Sequence, residues 1–308
     1  MKHKNPWLLS LYVVAALLPF SALGRLRVTT TTTDLAALVE TIGGDRVEVF
    51  SLSRPLQDAH YLDATPGMVV RIGRSDLFVE NGLDLELGWV PEVIRETRNR
   101  RVRPGGIGHV DASLGIQAIQ VPDRIHRDMG DVHPSGNPHY TLDPVLAQQA
   151  ARNIADGLIR VDPGHVETYE ANLEAFIERS NEVVSSWQAR FEPHAGARLV
   201  IYHKHFDYML ESLGLVVVDS IEPLPGLAPS PRHVAQLISQ HSPDTVRMVI
   251  MEPWHDQRVG RQVADGIGVP LLILCPTVGS CEGADNIISL FETNARKILE
   301  ALESSPRP

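Results

Sequence analysis

Hydrophobic and polar positions along the chain alternate between a strand-like and a helix-like period, which predicts an α/β protein. Strands are predicted at residues 28–32, 47–52, 77–80, 198–202, 216–219, 246–251 and 271–274. Helices are predicted at residues 35–42, 66–72, 91–97, 144–158, 206–213, 233–240, 257–267 and 287–302. Because alternating elements of this kind build mostly parallel sheets covered by helices, we expect two α/β lobes.

One long stretch between these two groups of elements predicts a connecting helix. Residues 163–191 contain no proline after Pro163 and no glycine after Gly164, and their apolar side chains recur at helical spacing. We expect a single rigid helix that joins the lobes. The predicted organisation is a signal peptide at residues 1–24, an N-terminal lobe at 25–162, the linking helix at 163–191 and a C-terminal lobe at 192–308.

The N-terminus has the pattern of a secretory signal. Lys2 and Lys4 precede an apolar run at residues 7–20, and Ala22-Leu23-Gly24 offers a small-x-small cleavage site. A signal anchor is the alternative, but the run is shorter than the roughly 20 residues of a spanning helix. No cysteine follows the expected cut, which argues against a lipid anchor. We expect a soluble periplasmic chain.

The chain is acidic, and this limits its partners. The formal net charge is −10, and loss of residues 1–24 would make it −12 because Lys2 and Lys4 leave with no acid. Such a charge argues against nucleic acid or anionic lipid as a partner and suits the attraction of cations. A hydrophobic content of 43% is enough for a sizeable core.

Four residues with metal-binding side chains stand in four separate contexts: His60, His139, His203 and Asp285. Three imidazoles and one carboxylate can fill a tetrahedral zinc shell and leave little room for a substrate. Each residue alone has an ordinary interpretation, since Asp285 could cap the last helix and a loop histidine is usually a surface residue. Two of the four come from each half, so a shared site would lie in the cleft between the lobes.

The two cysteines lie six positions apart, at Cys275 and Cys281. In an oxidising compartment a disulfide is the favoured interpretation. A thiolate metal pair is the alternative, although cysteine ligands of zinc usually have two to four residues between them.

Several sequence blocks resemble the periplasmic solute-binding proteins of zinc and manganese ABC importers, whose two lobes are joined by a single rigid helix. The blocks are DAHY at 58–61, VENGLDLE at 79–86, GNPHYTLDP at 136–144, YHKHFDY at 202–208 and IEPLPGLAPS at 221–230. Asp285, nine residues before Asn294, matches a further position of the family pattern. The resemblance covers nearly all of the chain after the predicted signal.

The resemblance implies a metal site made of His60, His139, His203 and Asp285, holding one Zn²⁺ per chain as cargo. His205 is the competing third ligand, but the family places its ligand five residues before Tyr208, which selects His203. A histidine at this position makes the site rich in nitrogen, which favours zinc over manganese. A carrier of manganese or of another divalent metal is the alternative.

The loop before His139 carries additional metal-capable residues: His126, Asp128, Asp131 and His133. We consider two interpretations of this loop. It is either a small capture flap that delivers metal to the site or accepts it from a periplasmic donor protein, or a solvated polar loop without such a role.

The expected function is capture of metal and delivery to an ABC permease driven by a separate ATPase, a partner that the resemblance implies. The chain has no G-x-x-x-x-G-K-[ST] loop of its own. We expect a monomer and no enzyme activity. A zinc hydrolase is the less favoured alternative, because it would need an open metal position and a base such as Glu80, Glu222 or Glu252, and Asp285 would fill that position.

Overall fold

The computed structural model describes residues 24–124 and 133–304, which form two parallel four-stranded sheets. The first sheet has the order β2-β1-β3-β4, with β1 at Leu26–Thr30, β2 at Val47–Ser51, β3 at Leu77–Glu80 and β4 at His109–Asp111. The second has the order β6-β5-β7-β8, with β5 at Arg198–Ile201, β6 at Val216–Ser220, β7 at Val249–Met251 and β8 at Leu271–Ile273. Every neighbouring pair is parallel. The predicted α/β class is confirmed, with the same strand order in both lobes.

Helices cover both sheets. Those of the first lobe are α1 at Thr33–Gly43, α2 at Pro66–Gly73, α3 at Val90–Glu96 and α4 at Pro144–Val161. The connecting helix α5 is Val166–Phe191, and the second lobe has α6 at Asp207–Ser212, α7 at Pro231–Gln240, α8 at Gln257–Ile267 and α9 at Ile287–Ser304. Within the described residues, no helix has the length and apolar composition needed to cross a membrane.

Helix α5 joins the lobes, as the sequence predicts. Its 26 residues span about 39 Å at 1.5 Å per residue. It packs on α1 and α4 of the first lobe and on α9 of the second. Near its C-terminal end, Trp187 meets Phe291 of α9 edge to face, with ring centroids 6.1 Å apart. One continuous hydrophobic core therefore runs from the first sheet, through α5, to the second sheet.

A loop of the first lobe also crosses to the second. The hydroxyl of Tyr208 on α6 donates to the carbonyl of Asn137 at 2.7 Å and accepts from the amide of Ile119 at 3.1 Å. The Asn137 side chain donates to the carbonyl of Lys204 at 2.7 Å. These bonds fix the loop that carries His139 against the segment that carries His203.

The two cysteines form a disulfide between Cys275 and Cys281, with their Cα atoms 5.7 Å apart. This confirms the favoured interpretation of the pair. It leaves neither thiol as a metal ligand.

Candidate metal centre

Three histidines meet in the cleft between the lobes: His60, His139 and His203. One ring nitrogen of each lies within 4.8 Å of the others. The Nε2 atoms of His139 and His203 are 3.3 Å apart. Two nitrogen ligands of a tetrahedral zinc, each about 2.0–2.1 Å from the metal, lie roughly 3.3 Å from one another. The separation of these two atoms therefore suits a shared zinc ion.

Local hydrogen bonds place each histidine. His60 lies in a 3-10 turn, Ala59–Tyr61, whose first carbonyl accepts from the indole of Trp89 at 2.9 Å. The amide of His139 donates to the side chain of Asn137 at 2.9 Å. His203 lies two residues after the end of β5, beyond the carboxyl end of a parallel strand, where ligand sites of α/β sheets are found.

Two of the imidazoles are oriented by hydrogen bonds to carboxylates. Nδ1 of His60 is 2.6 Å from Oδ1 of Asp58, and Nδ1 of His203 is bonded to Oε2 of Glu222. A carboxylate at Nδ1 holds the proton there, which leaves the lone pair of Nε2 free for a metal. Both histidines are thus held in the tautomer that a metal ligand needs.

The pKa values of the site reflect burial and these contacts. Burial acts to raise the pKa of Asp58, but the hydrogen bond to His60 and the charge of His60 outweigh it and hold that pKa well below its usual value. Burial acts to lower the pKa of His203, but the bond to Glu222 raises it above the usual value. Burial, followed by the neighbouring histidines, lowers the pKa of His139 well below its usual value. His139 is therefore neutral at neutral pH and ready to bind a metal.

His205 lies beside the three histidines but faces away from their meeting point. Its Nε2 is 3.0 Å from the carbonyl oxygen of Pro276, so this nitrogen carries the proton and donates. Its ring packs on the ring of His139 with centroids 4.1 Å apart. Burial lowers its pKa to about 3. These contacts support His203 as the third ligand and give His205 a packing role.

Asp285 does not join the three histidines in this structure. Its side chain is exposed just before α9. Its neighbour Asn286 caps that helix, since Oδ1 of Asn286 accepts from the amide of Ser289 at 3.0 Å. The capping role considered for Asp285 thus belongs to Asn286. Asp285 as fourth ligand stays a prediction.

A fourth imidazole approaches from the loop before His139. Nε2 of His133 lies 3.0 Å from Nε2 of His60. Burial and the charge of His60 lower the pKa of His133 to about 4. His126, Asp128 and Asp131 of the same predicted flap lie outside the described residues. His133 is thus the flap residue that the structure brings to the site.

A cavity of about 220 Å³ opens beside the histidines. Its lining includes three imidazoles and a proline-rich segment: His133, His139, His203, Pro223, Leu224 and Pro225. The meeting point of the histidines therefore adjoins open space.

The contacts of Glu222 and Asp58 with particular histidines were not predicted from the sequence. Glu222 was considered only as a base for a hydrolase, yet its carboxylate is used by His203. Glu252, considered in the same way, is fully buried, and neither of its oxygens accepts a side-chain hydrogen bond within the described residues. Burial raises its pKa to about 8, and Nε2 of His255 lies 3.5 Å from one oxygen. The spacing of Asp58 two residues before His60 is the signal that could have identified one of these partners.

Known proteins with similar sequences include metal-transport components. The high-affinity zinc uptake system protein ZnuA of Bacillus subtilis (strain 168) is 26% identical over 289 residues, which cover 91% of this chain and 88% of that protein. The manganese ABC transporter substrate-binding lipoprotein PsaA of Streptococcus pneumoniae is 24% identical over 290 residues, which cover 92% of this chain and 90% of that protein.

Solved structures share the fold. A ZnuA deletion mutant with zinc bound matches with a TM-score of 0.77 and 25% identity, over 92% of this chain and 100% of that one. A Mn-bound periplasmic metal binding protein from Candidatus Liberibacter asiaticus matches with a TM-score of 0.74 and 21% identity, over 90% of this chain and 100% of that one. The sequence profile described as zinc-uptake complex component A, periplasmic, matches residues 28–301, and the chain belongs to this family.

Proposed function

We propose that this protein is a periplasmic zinc carrier, which binds one Zn²⁺ between its lobes through His60, His139 and His203 and delivers it to an ABC permease driven by a separate ATPase. The convergence of the three ring nitrogens carries this proposal. The three histidines come from both lobes, and two of them are hydrogen-bonded to carboxylates. Family membership supports the transporter partners. The carrier acts as a soluble monomer, and a periplasmic donor protein is one candidate source of its metal.

Zinc is the favoured cargo because the donors that meet are nitrogen atoms. Imidazole suits zinc, whereas carboxylate and carbonyl oxygens suit manganese. Manganese is the second candidate, since the similar proteins include the manganese-transport lipoprotein PsaA. The binding arrangement also favours a carrier over a hydrolase, because Glu222 supports a ligand and so cannot serve as a free base.

The fourth ligand has two candidates. The sequence resemblance supports Asp285, and the distance to His60 supports His133. The variants Asp285→Ala and His133→Ala separate them, with zinc dissociation into an excess of chelator as the measurement. The true ligand's variant is expected to release zinc at least tenfold faster than the wild type, and the other variant at nearly the wild-type rate.

Metal content tests the whole proposal. Protein exported to the periplasm is purified as the wild type, His203→Ala and His205→Ala, and its metals are measured by elemental analysis. We expect one zinc per chain in the wild type, loss of zinc in His203→Ala and its retention in His205→Ala. His205→Ala is the matched control, because it removes an imidazole only two residues from His203. Manganese, or no metal, in the wild type would contradict zinc carriage.

A further inference from the structure

A lysine lies against the disulfide of the second lobe. Nζ of Lys297, on α9, is 3.2 Å from Sγ of Cys275 and 3.9 Å from Sγ of Cys281. It also donates to the carbonyl of Ile273 at 3.3 Å, which holds the ammonium in place. A nearby cation stabilises a thiolate relative to the thiol. Lys297 is thus placed to stabilise the sulfur that leaves when the disulfide is opened.

The two sulfurs differ in access. Cys275 is fully buried, and Asn294 holds its backbone by accepting from its amide at 2.8 Å and donating to its carbonyl at 2.7 Å. Cys281 is partly exposed and is followed by the exposed residues Glu282 and Gly283. An incoming thiolate can therefore reach Cys281, and Cys275 is the leaving group beside Lys297.

The loop closed by this disulfide ties the two lobes together next to the histidines. Within it, the hydroxyl of Thr277 donates to the carbonyl of Pro55 at 2.6 Å, and the amide of Val278 donates to Oδ1 of Asp34 at 2.7 Å. Both acceptors belong to the first lobe. The carbonyl of Pro276 accepts from His205, whose ring packs on His139. Residues 276–280 thus connect the disulfide to the packing of a proposed ligand.

We propose that Cys275–Cys281 is a thiol–disulfide exchange site for a dithiol oxidoreductase, and that its reduction loosens the loop 276–280 and speeds release of the metal. A thiolate of the reductant attacks Sγ of Cys281 and forms a mixed disulfide. The Cys275–Cys281 bond breaks, and its electron pair goes to Sγ of Cys275, which becomes a thiolate beside Lys297. The second thiolate of the reductant then attacks the reductant's other sulfur, which is bonded to Cys281 in the mixed disulfide. This attack releases Sγ of Cys281 as a thiolate. The reductant is oxidised to a disulfide by two electrons, Cys281 takes up a proton, and Cys275 stays a thiolate beside Lys297 in the reduced protein.

The first experiment measures the redox equilibrium of the disulfide without using metal. The full chain is equilibrated with mixtures of reduced and oxidised dithiothreitol, and its free thiols are then alkylated. Mass spectrometry measures the fraction of the protein that is reduced. We expect Lys297→Met to lower the equilibrium constant for reduction about tenfold, which is about 30 mV for a two-electron couple. Arg296→Met is the matched control, because it removes a neighbouring positive charge that pairs with Glu300 and is expected to leave the equilibrium unchanged. Equal equilibria in Lys297→Met and the wild type would overturn the role of the lysine.

The point of attack is tested with a monothiol. After brief exposure of the wild-type protein to reduced glutathione, the mixed disulfide is located by peptide mass spectrometry. We expect glutathione on Cys281. An adduct mainly on Cys275 would overturn the proposed order of bond breaking.

The effect on the lobes is tested by hydrogen exchange. Reduction is expected to speed exchange of the Val278 amide at least tenfold, while the Cys275 amide, held by Asn294, stays protected. An unchanged Val278 rate would overturn the coupling of the disulfide to the lobe contact.

Release of zinc to a chelator then tests the last step, which rests on the proposed function. We expect it to be several-fold faster from the reduced protein, and equal rates would overturn this step. A chain that binds no zinc in either state would instead contradict the zinc proposal. The coupling of the disulfide to the loop would be judged separately, because hydrogen exchange measures it without metal.

Discussion

The ring nitrogen that is hydrogen-bonded to the protein determines whether a histidine of the cleft keeps Nε2 free for a metal. A carboxylate holds the proton of His60 and of His203 at Nδ1, so that Nε2 is free for a metal. In His205, Nε2 instead donates a hydrogen bond to the backbone carbonyl of Pro276. Hydrogen-bond partners up to 71 positions away in the sequence thus distinguish the two proposed ligands from the one packing residue.

Glu222 should be important for metal affinity although it does not need to touch the metal. Glu222→Gln keeps the size of the side chain but removes the charge that holds the Nδ1 proton of His203. We expect zinc affinity to fall about 10- to 100-fold, as is usual for loss of such an outer partner. Competition with a chromophoric chelator measures it. Glu211→Gln, which alters an exposed carboxylate on α6, is the control, and equal affinities in the two variants would refute the role of Glu222.

Buried Glu252 should make stability depend on pH. Its pKa is raised from 4.5 to about 8 by burial, so the folded state binds a proton that the unfolded state releases between these values. Its contribution to stability is therefore fully present below pH 4.5 and is lost as pH rises towards 8. Glu252→Gln removes this loss, and the metal-free variant should gain stability over the wild type by about 1.4 kcal/mol per pH unit from pH 5 to 7.

Urea unfolding of both proteins at several pH values measures this gain. The exposed carboxylate of Glu282 supplies the control Glu282→Gln, for which no pH-dependent gain is expected. A gain for Glu252→Gln that is constant with pH would show that Glu252 is charged in the folded protein.

At the scale of elements, long periodic segments were predictable, whereas of the short strands β3, Leu77–Glu80, was predicted with its bounds and β4 was not. Helix α8 has the predicted bounds, Gln257–Ile267, because its apolar face repeats over three turns. Strand β4, His109–Asp111, was missed because three residues beside Gly106 and Gly108 are too few to show a period. Strand β7 begins three residues later than expected, at Val249, although the carbonyl of Met248 accepts from the amide of Val200 in β5 at 3.1 Å.

The proposed site was predictable only in part, for a related reason. Local motifs identified His60, His139 and His203, but contacts between distant segments determine the rest. The bond from Glu222 to His203 spans 19 positions, and the approach of His133 to His60 spans 73. Each pair lies within one lobe but joins segments that are far apart in the sequence, and no local sequence pattern encodes such a contact.

The start of α9 allows helix capping and metal binding to be separated. Asn286→Ala removes the side chain that accepts from the amide of Ser289, and it should lower the free energy of unfolding of the metal-free protein by about 1 kcal/mol. Asp285→Ala, one residue earlier and exposed, should leave that free energy nearly unchanged. Chemical denaturation checks both variants. A larger loss in Asp285→Ala than in Asn286→Ala would reverse the assignment of the cap.

For the whole molecule, the continuous core predicts that the two lobes unfold together. The core runs from the first sheet through α5 to the second, so separation of the lobes would expose apolar surface on both. Trp89 lies in a satellite core of the first lobe, whereas Trp187 on α5 packs against Phe291 of the second. Variants that keep one or the other of these tryptophans, with the remaining ones changed to Phe, report on the two regions separately.

We expect both probes to give the same midpoint in urea, and the calorimetric enthalpy to equal the van't Hoff enthalpy. Zinc at about 100 times its dissociation constant should then raise the free energy of unfolding of the whole chain by about 2.7 kcal/mol, because the proposed ligands come from both lobes and only the folded state holds them together. Two separate midpoints without zinc would contradict a shared core and make residues 25–162 and 192–308 independent folding units. If zinc shifted the midpoint of only one probe, the metal would be held within one lobe, which is incompatible with a site that includes both His60 and His203.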